Sequence, residues 1–383
     1  MNSMQRTSIG YNNGMSPTIA GSSSPATGRG VSTLSLRTLL PWSLVVLVWL
    51  FVGVCGISST TTTTTTTTTT ENCLQLFDTY SQGVYVCQHH SDLIVALQIA
   101  EELGREECQR AFEREMWNCS SFSILRAPNV TSLATKEAAY VHALSLAAIA
   151  HSVAKVCAVG DVTSCSCDTE RLELPATDSE RRYAMGCSDN VGFGLTFATN
   201  FLHKRHLGVG PLQEIERENM RIGARVVQDE DEPPYVCHCI GVSGSCTVLT
   251  CQYELPEFSQ LAHRIQDYYF TNRTCKVRWN NIVGEGSAFV RPPGCGDNKL
   301  IYMVDSPNYC VRDVVVGSLG TAGRKCDPHT TGPNSCENLC TRCGLGHVSI
   351  EESTESNCWC EFVFCCEIRC SKCPERRRYH VCT

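Results

Sequence analysis

The chain runs to 383 residues with a formal charge of −7, 42% hydrophobic side chains and 27 cysteines. The acidic balance and the lack of a basic stripe exclude a nucleic-acid binder, and the sequence carries no phosphate-binding or calcium loop. So many cysteines do not belong in a reducing cytosol without metal. They point to oxidising export, in a chain long enough for about two domains.

Residues 1–38 are rich in Ser, Thr and Gly, with Arg6, Arg29 and Arg37 as their only charges. Residues 39–57 carry no charge and run into small residues at 56–59. A cationic flank, an apolar run and small residues predict a signal peptide over 1–59 with a long N-region. The run is also long enough to span a bilayer as an anchor; Pro41 near its start and the small residues at its end favour cleavage. Residues 60–72 form a Thr-rich spacer with no apolar surface to bury, which predicts a disordered segment open to O-glycosylation. Cys55 leaves with the apolar run if cleavage falls beyond it, and the remaining cysteines are then even in number and can all pair.

The pattern over 73–270 predicts a helical N-terminal domain. Over 91–116, Leu93, Leu97, Ala100, Leu103 and Ala111 fall on one stripe, with Glu101, Glu102, Glu106 and Glu107 opposite. The Ala-rich stretch 135–156 starts at a Thr cap and reads as the most buried helix. Stretches 189–203 and 212–227 are amphipathic, and 256–270 closes the domain. Between them, CHCIGVSGSCTVLTC predicts a hairpin over 237–251. Facing residues of an antiparallel hairpin have a nearly constant sum of residue numbers. That rule nests Cys239–Cys246 inside Cys237–Cys251, with an offset that asks for a bulge or open loop. The loop 240–245 carries two glycines and two serines, clamped so that the serines stand outward. Residues 271–309 read as a linker, whose isolated Cys275 and Cys295 are expected to pair.

From Cys310 onward the cysteines crowd together and long apolar runs vanish. This predicts a small domain over 310–383, held by disulfides rather than by a core. In CWCEFVFCCEIRCSKC three pairs share the constant sum: Cys358 with Cys373, Cys360 with Cys370, and Cys365 with Cys366. They predict a stapled hairpin over 358–373 that closes on a vicinal bridge. Phe362, Phe364 and Ile368 at its tip have no core to enter, and an exposed apolar tip usually means a partner. The rival reading of both clusters is zinc, because C-x-C and C-x2-C spacings can be ligands. Export and the even count favour disulfides, so no metal is expected.

A serine among glycines also suggests an esterase. The nucleophile elbow needs a second Gly where this chain has Ser245, and a clamped hairpin is not a strand–turn–helix; the chain reads as no enzyme. A disulfide-scaffolded matrix module is a second rival. The sequons at Asn129 and Asn272, and a weaker one at Asn118 beside Cys119, fit any secreted protein.

CHCIGVSGSC closely resembles the serine loop of the Wnt family, C-K-C-H-G-[VI]-S-G-S-C. The likeness continues in ECQRAFEREMWNCS (107–120), the stretch 135–167, GCSDNVGFG (186–194), SPNYC (306–310), GTAGRKC (320–326), SCENLCTRCG (335–344) and the closing cysteine frame. It runs in order over 73–383.

The resemblance implies an α+β, two-handed architecture. A helical N-terminal domain offers the Ser243 loop as a thumb, and a small cysteine-knot-like β C-terminal domain offers the 358–373 hairpin as a finger. It implies bridges Cys108–Cys119, Cys157–Cys165, Cys167–Cys187, Cys310–Cys343, Cys326–Cys336 and Cys340–Cys382, and leaves Cys73 to Cys87. It also implies a secreted ligand of the extracellular space and matrix, made through the endoplasmic reticulum and acting in development and cell-fate patterning. Porcupine would add a palmitoleoyl group to Ser243, with no other cofactor, and Ser245 would be a plain loop hydroxyl. The lipid would give membrane association and call for a Wntless-type escort. The acyl group with Val242 and Gly244, and the finger residues Phe362, Phe364, Cys365, Cys366 and Ile368, would grip the cysteine-rich domain of a Frizzled receptor. An LDL-receptor-related co-receptor and heparan sulfate complete the implied partners. Departures are Ile240 for the usual His, Gln252 for Trp, His238 for a basic residue and Phe364 for Trp. The acidic charge and the DEDE run at 229–232 are also unusual, and Arg376, Arg377 and Arg378 form the only compact basic cluster.

Overall fold

Thr135 opens the central helix as its position predicts. Its hydroxyl accepts from the Ala138 amide at 3.2 Å, and the helix then runs to a left-handed Gly160. The computed structural model describes residues 72–126, 133–168, 182–205, 210–228, 235–246, 248–271, 273–279 and 289–383. The signal peptide, the threonine tract, the 229–232 acidic run, Asn129 and Asn272 lie outside the described residues.

The helices are α1 Tyr80–His89, α2 Ile94–Ala111, α3 Lys136–Val159, α4 Val191–His203, α5 Pro211–Gln228 and α6 Phe258–Phe270. Helix α3 is apolar and long enough to cross a bilayer by composition. Here α2, α4, α5 and α6 pack around it instead and bury almost every side chain. Two glycines set how closely they approach. A Cβ on Gly194 of α4 would stand 2.4 Å from the Ala150 carbonyl oxygen, and one on Gly223 of α5 would stand 2.1 Å from that of Ala143. On α2 the buried line is Leu97, Ala100, Gly104 and Cys108, below Leu93. Leu103 and Ala111 are only half-buried, and Gly104 admits the Phe122 ring where a side chain would otherwise project. Glu101 is not on a solvated face either; its carboxylate accepts the Leu125 amide at 3.2 Å and the Ile124 amide.

Strand β1 Arg182–Met185 runs parallel to β3 Val248–Tyr253, which pairs antiparallel with β2 Tyr235–Ile240. The predicted 237–251 hairpin is therefore two strands of a three-stranded sheet. The stretch expected to be a linker carries structure of its own. Strand β4 Thr274–Lys276 pairs with β7 Leu300–Tyr302, and β5 Arg278–Trp279 with β6 Phe289–Val290. Val277, Phe289, Ile301 and the Cys275–Cys295 bridge form a small core there with Ile215 of α5. Asn219 of α5 binds the backbone N–H and C=O of Ile301 at 2.8 and 2.9 Å, as a neighbouring strand would.

The C-terminal part adds β8 Arg312–Asp313 paired with β9 Ser318–Leu319, then β10 Lys325–Cys326. A single helical turn, α7 Cys336–Leu339, precedes two long strands, β11 His347–Val363 and β12 Glu367–Cys382. The sheet order is β10-β12-β11. Its core is mostly sulfur: Cys326, Cys336, Cys340 and Cys382 around Leu339. The described residues from 72 onward nevertheless cluster as one compact unit. The Arg324 guanidinium donates to the carbonyl oxygens of Glu113, Glu115 and Met116, so the cysteine-rich part is fastened to the end of α2.

Twelve disulfides close among the described residues. Six are the resemblance-implied pairs. Four are the hairpin pairs: Cys237 with Cys251, Cys239 with Cys246, Cys358 with Cys373 and Cys360 with Cys370. Cys73–Cys87 and Cys275–Cys295 complete the set. The expected vicinal bridge does not form: Cys365 and Cys366 are both free and exposed. A bridge between adjacent cysteines closes an eight-membered ring that contains the peptide bond joining them, and a planar trans peptide does not fit so small a ring without distortion.

Candidate functional site

Two projecting tips carry the residues singled out in the sequence. The first is the loop between β2 and β3. The ladder is regular from Tyr235↔Tyr253 to Ile240↔Val248, with Cys237 directly opposite Cys251. Cys239–Cys246 cinches the loop at the end of this ladder. Inside the cinch the chain makes one tight turn over Val242–Gly244, with Ser243 at φ 61° and Gly244 at φ 74°. Left-handed geometry is unfavourable for a residue with a Cβ, so the bridge and Gly244 together hold Ser243 in it. Ser243, Gly244 and Ser245 are exposed, and Val242 is 91% exposed. Ile240 adds a further exposed apolar side chain beside the loop. Gln252, where the family usually has Trp, packs on Gly186, where a Cβ would meet it at 2.6 Å. His238 faces Glu254 at 3.9 Å.

The second tip is the far end of β11 and β12. Strands of 17 and 16 residues at roughly 3.3 Å per residue reach about 50 Å. Among the described residues only the root has a third strand, where β10 pairs with His380 and Val381. The predicted 358–373 hairpin is thus the outer part of a ladder that starts at His347↔Cys382. The bridges are as expected, but two of them do not join plain facing rungs. Cys358 pairs in the ladder with Ser371 and Ser356 with Cys373, so the Cys358–Cys373 bridge runs diagonally. The expected Cys360–Cys370 bridge is the other. Between the rungs Cys358↔Ser371 and Glu361↔Arg369 the register shifts by one, so that Trp359 and Cys360 together stand opposite the single residue Cys370. Cys370 still bonds to Cys360, but across a bulge, with Trp359 at φ 47° as the extra residue. Beyond it Phe362 faces Ile368. Phe364 is 93% exposed and Trp359 85%, with Phe362 and Ile368 also exposed. A two-stranded ribbon has no second layer, so these side chains have nothing among the described residues to pack against.

The sequence reading does not single out Trp359, although its place between two bridged cysteines is an available signal. The basic cluster is compensated: Arg377 faces Glu352 and Arg378 faces Glu351 across the ladder, and Arg377 also pairs with Glu375 at 2.9 Å. Asn118 is half-buried beside the bridged Cys119. The grouped sulfurs of Cys326, Cys340 and Cys382 are all consumed in disulfides, which takes away the thiolates a zinc site would need.

The Wnt family model matches residues 77–383, the helical part and the ribbon together. The chain belongs to the Wnt family. Protein Wnt-2 of Drosophila melanogaster is 34% identical over 313 residues, covering 78% of this chain and 88% of that protein. Protein Wnt-11b-2 of Xenopus tropicalis is 31% identical over 325 residues, covering 82% and 88%. Among solved structures, that of human WLS in complex with WNT8A superposes with a TM-score of 0.55 at 26% identity, covering 77% of this chain and 95% of the matched chain. Wnt proteins are secreted signalling ligands, not enzymes, and the mixed α+β, disulfide-rich architecture is that of the family.

Proposed function

We propose that this Wnt ligand carries a palmitoleoyl ester on Ser243 and grips the cysteine-rich domain of a Frizzled receptor with two tips. The acyl chain with Val242 and Gly244 forms one contact; Phe362, Phe364, Ile368 and the Cys365–Cys366 turn form the other. The observation that carries this reading is Ser243 itself, a hydroxyl held outward by a bridged left-handed turn with an exposed valine beside it. An acyltransferase needs that access, and the ester adds apolar surface to a tip that already lacks a covering layer. Burying such a chain at about 0.8 kcal/mol per CH₂ supplies on the order of 10 kcal/mol gross. The same chain in water needs a carrier, and the likeness to the WLS–WNT8A structure supports a Wntless-type escort, with Porcupine as the acyltransferase. A heparan-sulfate contact at Arg377 and Arg378 has to compete with the facing Glu352 and Glu351. The LDL-receptor-related co-receptor belongs to the same reading.

The test is mass spectrometry of the reduced Cys237–Cys251 peptide from secreted protein, followed by receptor-domain binding. A mono-unsaturated C16 ester on Ser243, and a loss of about a hundredfold or more in affinity for Ser243→Ala, are the expected results. Unmodified Ser243 in folded, secreted protein that still binds the receptor domain tightly would overturn the lipid half. Undiminished binding by Phe362→Ala with Phe364→Ala would overturn the finger half.

A further inference from the structure

The root of the long ribbon brings together two histidines that the tips do not use. His347 opens β11 opposite Cys382, and His380 lies two residues before Cys382 on β12. They are therefore diagonal neighbours on one face of the ladder. Their Nδ1 atoms are 3.1 Å apart, and their rings are 5.2 Å apart at 59°. Cys336 Sγ groups with them but is bridged to Cys326, so it offers no thiolate. Both imidazoles reach solvent, His347 more than His380.

We propose that His347 and His380 bind a divalent cation of the late first row, zinc or copper, through their two Nδ1 atoms. Two metal–nitrogen bonds of about 2.0–2.1 Å at a tetrahedral angle place the nitrogens about 3.3 Å apart, within a few tenths of an ångström of the distance found. In the metal-free pair one Nδ1 carries the hydrogen that the other accepts. On binding, that hydrogen moves to Nε2 of its own ring, both rings stay neutral, and both Nδ1 lone pairs face the ion. Imidazole suits zinc and copper, and the solvent side leaves room for water in the remaining positions. The ion would tie β11 to β12 where the ribbon leaves the cystine core.

The experiment uses secreted full-length protein, stripped with chelator and titrated with Zn²⁺ and with Cu²⁺. The free thiols of Cys365 and Cys366 are the competing ligands, so Cys365→Ser with Cys366→Ser is the comparison chain. One ion per chain should bind to it as to the parent. His347→Ala should weaken binding by an order of magnitude or more, as should His380→Gln, which keeps a hydrogen-bonding side chain. Copper bound to the parent should show two nitrogen couplings by electron paramagnetic resonance, and zinc should raise the melting temperature of the parent but of neither histidine variant. Equal melting temperatures of parent and His380→Gln in chelator would show that the variant is folded. Binding that vanishes with the two cysteines, or that survives both histidine substitutions, would overturn the proposal.

Discussion

Asp92 shows how one side chain fixes a bridged loop. Its carboxylate accepts from the amides of Thr163 and Ser164 at 2.7 and 2.8 Å and from both hydroxyls, beside the Cys157–Cys165 bridge. Partial burial works to raise its pKa, but the Ser164 and Thr163 hydrogen bonds outweigh it and bring the value from 3.8 to about 2. A carboxylate lowered on folding stabilises the protein above its unfolded value, and that stability is lost as pH falls through the folded one. The Asp92 contribution is therefore complete above about pH 4 and disappears toward about pH 2. Asp92→Asn should cost about 1 kcal/mol at neutral pH, trimmed by solvent exposure, and almost nothing at the acid end. Denaturant unfolding of both chains from near-neutral pH down to about pH 2 checks this; a constant difference would refute it. None of these partners, some seventy residues away, is legible in a sequence scan, whereas Ser243 is. Its two flanking cysteines and two glycines define the loop locally, although the left-handed φ of Ser243 itself carries no signal of its own in the sequence.

At the scale of elements, periodicity predicts five helices with ends within a few residues, because each hides a stripe that repeats at the helical period. It misses α1, a short helix whose burial depends on α4: Phe77 just before it lies 5.9 Å from Phe201, and Gln82 donates to the Phe201 carbonyl. It also places Leu103 on the buried stripe in place of Gly104, since a glycine gives no hydrophobic signal although its missing side chain is what the neighbour uses. Constant-sum reasoning finds both bridges of the ribbon's outer end yet not its register, because the bulge opposite Cys370 shifts every rung beyond it by one. The helix-packing glycines supply a sharp prediction. Gly223→Ala would drive a methyl group to 2.1 Å from the Ala143 carbonyl oxygen, backbone that cannot step aside without moving α5 off α3. The expected loss is about 3 kcal/mol, read as a lower denaturant midpoint and reduced secretion. An unchanged midpoint would mean the two helices are not in that contact. By contrast, Cys358→Ser with Cys373→Ser lies in a ribbon away from the helical core, so it should leave that midpoint unchanged. It should weaken receptor-domain binding through a loosened tip, and a binding curve identical to the parent's would separate this diagonal bridge from the finger's function.

Across the whole molecule, the early block around Trp117 and the GTAGRKC segment are about two hundred residues apart in sequence but touch in space. Arg324 Nη1 lies 2.5 Å from the Glu115 carbonyl oxygen and 2.8 Å from that of Met116, and Nη2 lies 2.9 Å from that of Glu113. Burial pushes the Arg324 pKa down while the nearby Glu115 pushes it up. An arginine so placed stays charged, since its ordinary value is far above neutral. The three carbonyls belong to the turn that follows α2, so one guanidinium both holds that turn and joins the ribbon's base to the helices. Arg324→Met keeps the stem but removes every donor, and should cost about 3 kcal/mol by leaving three carbonyls without their donor and only Lys136 as the cation acting on Glu115. Arg324→Lys, with one charged centre in place of a planar fork, should recover only part of it. Hydrogen exchange distinguishes a fastening from a merely local contact. In the fastening case, amides of both 113–122 and 320–326 exchange faster in Arg324→Met, because releasing one side frees the other. Faster exchange confined to 320–326 would mean that the helical part holds its own end and that the two halves of this Wnt are joined by the Glu137–Ser306 contact and the small core beneath it instead.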